Sequence, residues 1–270
     1  MLSGLESAKY KLIRATEHLK TIGTHVAKYA GEEHHKILTR PDGSETIAVE
    51  ENPPIEISIL AGELVYQVRS ALDHLAFDIV QSNFKSISLP DDWIRNCVFP
   101  LWLKTPKQWQ YVPPVPQRFF ERVLPGIPAE AYALIEEVQP YRQTNLAKHL
   151  RLLVQLSNID KHRRLNLTKP RLDSHEMVVT PRASYSLTKR IEDRSELVPF
   201  ASFASVDEGE SVTVERSFSA NVSFSEPILE EYAKYQTPVE EVLKICLDAA
   251  QFEIIPKFEE FLKRSSLSKG

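Results

Sequence analysis

Arg69 and His74 are the side chains of this sequence with the most chemistry to offer together. They sit in the stretch Gly62-Glu63-Leu64-Val65-Tyr66-Gln67-Val68-Arg69-Ser70-Ala71-Leu72-Asp73-His74-Leu75. A histidine titrates near neutrality, so it can take the proton of a ribose 2′-OH or return one to a leaving 5′-oxygen. A guanidinium can neutralise the oxygens of a pentacovalent phosphorane through forked hydrogen bonds. That pair needs no metal and no cofactor to cut RNA. At about 100° per residue, Arg69 and His74 stand roughly 140° apart on a helix, with Tyr66, Ser70, Asp73 and Phe77 between them. Tyr66 and Asp73 are then candidate substrate contacts. A structural reading stands beside the catalytic one: Arg69 pairs with Asp73 at i+4, and His74 caps or bridges buried polar groups.

A second constellation, Asn158-Ile159-Asp160-Lys161-His162-Arg163-Arg164, closes a different helical stretch. Lys161, His162 and Arg163 could hold backbone phosphates. Cations at a helix end are also favoured by the helix dipole alone. Histidines 34, 35, 74, 149, 162 and 175 match no metal-ligand spacing, so no metal site is expected. No Walker loop, G-x-G-x-x-G, G-x-S-x-G or H-E-x-x-H occurs, and 8 glycines in 270 residues leave little for phosphate-cradling loops. Trp93, Trp102, Trp109 and Tyr111 could stack on bases or cover the core.

The elements that must position these residues follow from apolar spacing. Leu60, Leu64, Val68, Leu72, Leu75 and Ile79 form a helical stripe, which predicts a helix over about 56–84. Leu5, Ala8, Leu12, Ala15 and Leu19 predict another over 2–30. Shorter helices are expected near 117–124 and 128–138, and a longer one over 144–162. A final helix is expected over about 238–263, with Thr237 as N-cap, Pro238 first and Glu240 completing a capping box. Two alternating runs around Pro41-Asp42-Gly43 predict a hairpin. Alternation returns between 164 and 226, which predicts a β-rich insertion. The expected architecture is mainly α: one antiparallel helical-bundle domain over 1–270 carrying a small antiparallel β insertion.

Arg69-x-x-x-x-His74 on a long helix within such a bundle resembles the R-x(4–6)-H motif of HEPN-domain proteins. The strings VRSALDHLAFDIV and Asn158 to Arg163 also resemble a group of bacterial proteins that share such segments and carry no established activity. The HEPN resemblance implies an RNA-binding protein. Its enzymatic form is a metal-independent endoribonuclease, often a toxin or defence effector, acting as a homodimer with the motif at the interface. Many active members follow the arginine with Asn, Asp or His, where this chain has Ser70. Other members only bind or dimerise, so a non-catalytic helical scaffold partnering a nuclease or toxin is the alternative. A small phosphorylated substrate handled by the same pair is a third reading.

The whole chain carries a formal charge of −4, which argues against a generic nucleic-acid coat. The charge is uneven: Arg142 to Arg194 holds twelve Lys and Arg against five acids, and 207–260 is acidic. This marks either a local polyanion surface or two segments that attract each other. No apolar run of about 18 residues predicts a membrane span. Two cysteines, Cys97 and Cys246, make no disulfide framework, and a cytoplasmic location is expected. The face around Tyr66, Arg69, Asp73 and Phe77 is expected to meet a second copy.

Overall fold

Leu64, Val68, Leu72, Leu75 and Ile79 are fully buried, and they make the inner face of a helix, α2, over Ile55–Asn83. It belongs to a computed structural model that describes residues 3–31, 35–39, 45–49, 52–83, 97–104, 124, 127–162, 165, 167, 171–180, 183–187, 213–225 and 237–267. The described residues are mainly helical. Helix α1 spans Gly4–Gly31 and buries Ala8, Leu12, Ala15, Ile22 and Val26. Between α1 and α2 lies an antiparallel hairpin, β1 (His35–Thr39) and β2 (Glu45–Val49), with Ile37 opposite Ile47. Its turn, Pro41-Asp42-Gly43, lies outside the described residues.

Helix α3 is Ala129–Glu137, and α4 is Asn145–His162 with Leu150, Leu152, Leu153 and Leu156 inside. Strands β3 (Arg171–Thr180), β4 (Ala183–Leu187) and β5 (Thr213–Asn221) form an antiparallel sheet in the order β4-β3-β5. A bulge interrupts the β3–β5 register between Leu172 and Ser174. The helix expected near 117–124 falls almost wholly outside the described residues.

The last helical stretch is α5 (Val239–Asp248), a π-helical turn (Ala249–Ile254) and α6 (Ile255–Leu267). Pro256 accounts for the widened turn. Its nitrogen has no hydrogen to donate, and its ring would crowd the carbonyl four residues back. The N–H of Ile255 accordingly reaches back to Ala250 O, five residues away. The helix begins at Val239 rather than Pro238. Pro238 is held in an isolated antiparallel bridge with Ser223, and Val239 N–H donates to Val222 O at 2.8 Å.

The chain divides into two compact units. One comprises Met1–Thr21, Ile59–Leu165 and Glu240–Gly270; the other comprises Ile22–Ser58 and Asn166–Val239. Within the first, α1 and α2 run antiparallel, because Gly4 meets Asp78, Lys11 meets Gln67 and His18 meets Glu63. Helices α3 and α6 are also antiparallel, tied by Lys257–Glu137 at 2.7 Å and Arg264–Glu130 at 3.3 Å. Phe99 and Phe258, both fully buried, meet edge to face with centroids 5.7 Å apart. No described helix is long and apolar enough to cross a membrane.

Candidate functional site

Arg69 and Asp73 stand one turn apart on α2, and both reach the same peptide group. Arg69 Nη2 donates to Phe99 O at 2.6 Å, and Phe99 N–H donates to Asp73 Oδ1 at 2.9 Å. The two side chains lie 3.6 Å apart, Nη2 to Oδ1, as the i+4 pairing anticipates. Residues 97–104 carry no regular structure of their own, so their backbone groups need outside partners. Gln139, at the end of α3, supplies more. Its Nε2 donates to Pro100 O and to Ile135 O, both at 2.9 Å, and its Oε1 accepts from Trp102 N–H at 3.1 Å. The 97–104 segment thus engages Arg69 and Asp73, while Tyr66 on the same face is exposed.

Burial sets the electrostatics here. It pulls the Arg69 guanidinium below its ordinary pKa, while Asp73 partly offsets this. Burial also raises the Asp73 carboxyl, opposed by Arg69, the Phe99 N–H, Lys161 and His74. Burial and the Asp73 charge push the Cys97 thiol up to about 12, so it is no thiolate nucleophile at neutral pH. Arg69 Nη1 is buried and has no hydrogen-bond partner among the described residues.

His74 is half-buried. Desolvation and then Lys11 pull its pKa down, while Asp73 and Asp78 pull it up. Its ring is therefore mainly neutral at pH 7, which is the form a general base requires. Its backbone carbonyl has a different task. A Cβ on Gly4 would overlap His74 O, so only glycine lets α1 begin this close to α2. Asp78 then accepts from Gly4 N–H at 2.8 Å and Leu5 N–H at 2.7 Å. The Ser3–Glu6 capping box adds to this, with Glu6 Oε2 accepting from Ser3 N–H and Ser3 Oγ from Glu6 N–H.

Lys161 and His162 are exposed in the last turn of α4. Lys161 lies within electrostatic reach of Asp73, so the site draws on two helices. Arg163 lies outside the described residues. Tyr66 is 62% exposed, with Lys11 Nζ 5.8 Å from its ring centroid. The sequence reading picks out neither Gln139 nor Asp78 as a positioning residue, nor Lys11 as a neighbour of His74. The available signals were slight: Gln139 precedes a helix-ending Pro140, and Asp78 lies one turn beyond His74.

Chemically, the site offers a buried guanidinium with one nitrogen unpartnered among the described residues, a neutral imidazole, and an exposed ammonium around one carboxylate. Comparison with protein-family models, with curated proteins and with solved structures gives no match.

Proposed function

We propose that this chain is a HEPN-like helical protein that binds RNA without cutting it and works as a homodimer. In this reading the 164–226 region is an insertion in the helical bundle, and Lys161, His162 and Arg163 grip backbone phosphates. One observation supports binding over cleavage: Arg69 Nη2 and Asp73 Oδ1 are both committed to the Phe99 peptide. A guanidinium fixed to a backbone carbonyl is poorly free to follow charge developing on a phosphorane. Lys161 and His162, by contrast, remain exposed. The protein then acts as an RNA-holding scaffold for a nuclease or toxin.

A metal-independent endoribonuclease is the second reading. It is favoured by Arg69 Nη1, which has no partner among the described residues, and by the neutral His74 ring. One experiment separates the two: labelled RNA incubated with purified protein, with and without EDTA. Binding at low salt with intact RNA is expected. Fragments ending in a 2′,3′-cyclic phosphate and a 5′-OH, made in EDTA and lost in His74→Ala, would establish cleavage instead. No binding at low salt would remove RNA from both readings.

A further inference from the structure

A singly exposed tyrosine is ordinary surface; the neighbours of Tyr66 set it apart. Lys11 of α1 stands over its ring, Nζ 5.8 Å from the centroid. Lys11 Nζ also donates to Gln67 Oε1 at 3.5 Å, which keeps the ammonium on that side of the ring. A cation over one face steadies the ring's orientation. With 62% of the residue exposed, the opposite face is open to solvent. A second cation arrives from α4. The Asp160 carboxylate lies against the Gly62 backbone, so α4 meets α2 one turn before Tyr66. Lys161, the next residue, is exposed, and its charge acts on Asp73. Tyr66 lies between these two levels, about 6 Å beyond Gly62 and about 10.5 Å short of Asp73 along the axis. It points within about 40° of both. The Lys161 side chain thus extends along the side of α2 that carries Tyr66.

The acids of this region are engaged with the chain itself. Asp73 Oδ1 accepts from Phe99 N–H at 2.9 Å, Glu63 Oε2 lies 3.5 Å from His18 Nδ1, and Asp160 is turned onto Gly62. What faces outward is an aromatic ring with ammonium groups from two other helices beside it. That combination matches a single-stranded nucleic acid, whose bases offer π faces and whose backbone carries a phosphate beside each base. A duplex keeps its base faces inside its own stack and presents phosphates and groove edges instead. We propose that Tyr66 is a stacking platform for one unpaired base of single-stranded RNA, with Lys161 holding the adjoining phosphate and Lys11 steadying the ring from behind. The proposal rests on the RNA-binding reading and gives it a substrate class.

Fluorescence anisotropy on the full chain at low salt tests it, with a labelled unstructured oligouridylate and an RNA duplex of equal length. The wild type should bind the single strand at least about tenfold more tightly, since it alone presents base faces. Tyr66→Ala should weaken that binding at least about fivefold, the share of one stacked base. Tyr66→Phe keeps the ring and should stay within about twofold of the wild type. Tyr66→Ala should leave the slope of log K against log salt unchanged, because a stacked base releases no counterion. The side chain is exposed, so the melting temperature and the sedimentation coefficient should also be unchanged. Binding of neither RNA overturns the RNA reading and the platform together. Equal binding of duplex and single strand, wild-type affinity in Tyr66→Ala, or a loss in Tyr66→Phe as large as in Tyr66→Ala overturns the platform alone. So does a Tyr66→Ala protein that changes its oligomeric state, which would assign the ring to a contact between copies.

Discussion

At the scale of single residues, a peptide carbonyl and its neighbouring N–H define the environment of Arg69 and Asp73. Removing the arginine would strand Phe99 O and leave the largely buried Asp73 charge without its partner. Arg69→Ala should therefore cost about 1–3 kcal/mol, the usual cost of an unsatisfied buried polar group, measured as a shift in urea midpoint. An unchanged midpoint would mean that the clamp on residues 97–104 carries no stability. His74 gives a prediction about titration. Its folded pKa is depressed, chiefly by burial and next by Lys11. The unfolded chain should thus take up the proton first as pH falls below the ordinary value of about 6.5. Stability from this group is full above that pH and declines as pH falls toward the folded pKa. The decline should be smaller in His74→Gln. In an NMR titration Lys11→Met should move the His74 pKa upward, leaving the burial effect in place; no movement would break the assigned cause.

At the scale of elements, two glycines record close approaches that helix propensity alone would oppose. Gly62 lies mid-helix, where glycine costs about 0.5–1 kcal/mol relative to alanine. A Cβ there would overlap the Asp160 carboxylate on α4. Gly62→Ala should consequently destabilise by about 1–3 kcal/mol despite its better propensity. Adding Asp160→Ala should recover most of that loss in a double-mutant cycle, since it removes the colliding oxygens. Independent, additive losses would show that the two positions do not meet. The buried row of α2 was legible from spacing, with Leu60 alone of its stripe only half-buried, because period 3.6 maps directly onto one helix face. On α1 the pattern was read less well. Leu5 and Leu19 are only half-buried, whereas Ile22 and Val26 lie in the core. The Ser3–Glu6 capping box is legible in the sequence as Ser-x-x-Glu, whereas the start of the last helix at Val239 rather than Pro238 depends on the bridge that Pro238 makes with Ser223.

At the scale of the whole molecule, an overall charge of −4 coexists with exposed cations at the end of α4. If those cations meet phosphates, the binding constant should fall steeply with salt, because each neutralised phosphate releases counterions. Lys161→Ala should flatten the slope of log K against log salt by about 0.7–0.9, the share of one phosphate contact. A slope unaltered by the substitution would place the contact elsewhere. What the sequence alone determined is the set of long helices and the i+4 relation of Arg69 to Asp73, because both depend only on helical periodicity. It also placed Arg69 and His74 on one helix. Tertiary structure decided what those side chains do. The 97–104 segment has no ladder of its own, so its backbone recruits Arg69, Asp73 and Gln139 across 26 to 39 residues of sequence. Asp78 likewise caps a helix that begins more than seventy residues earlier. No local pattern encodes such partners, because a side chain satisfying a distant peptide group is fixed by packing rather than by spacing.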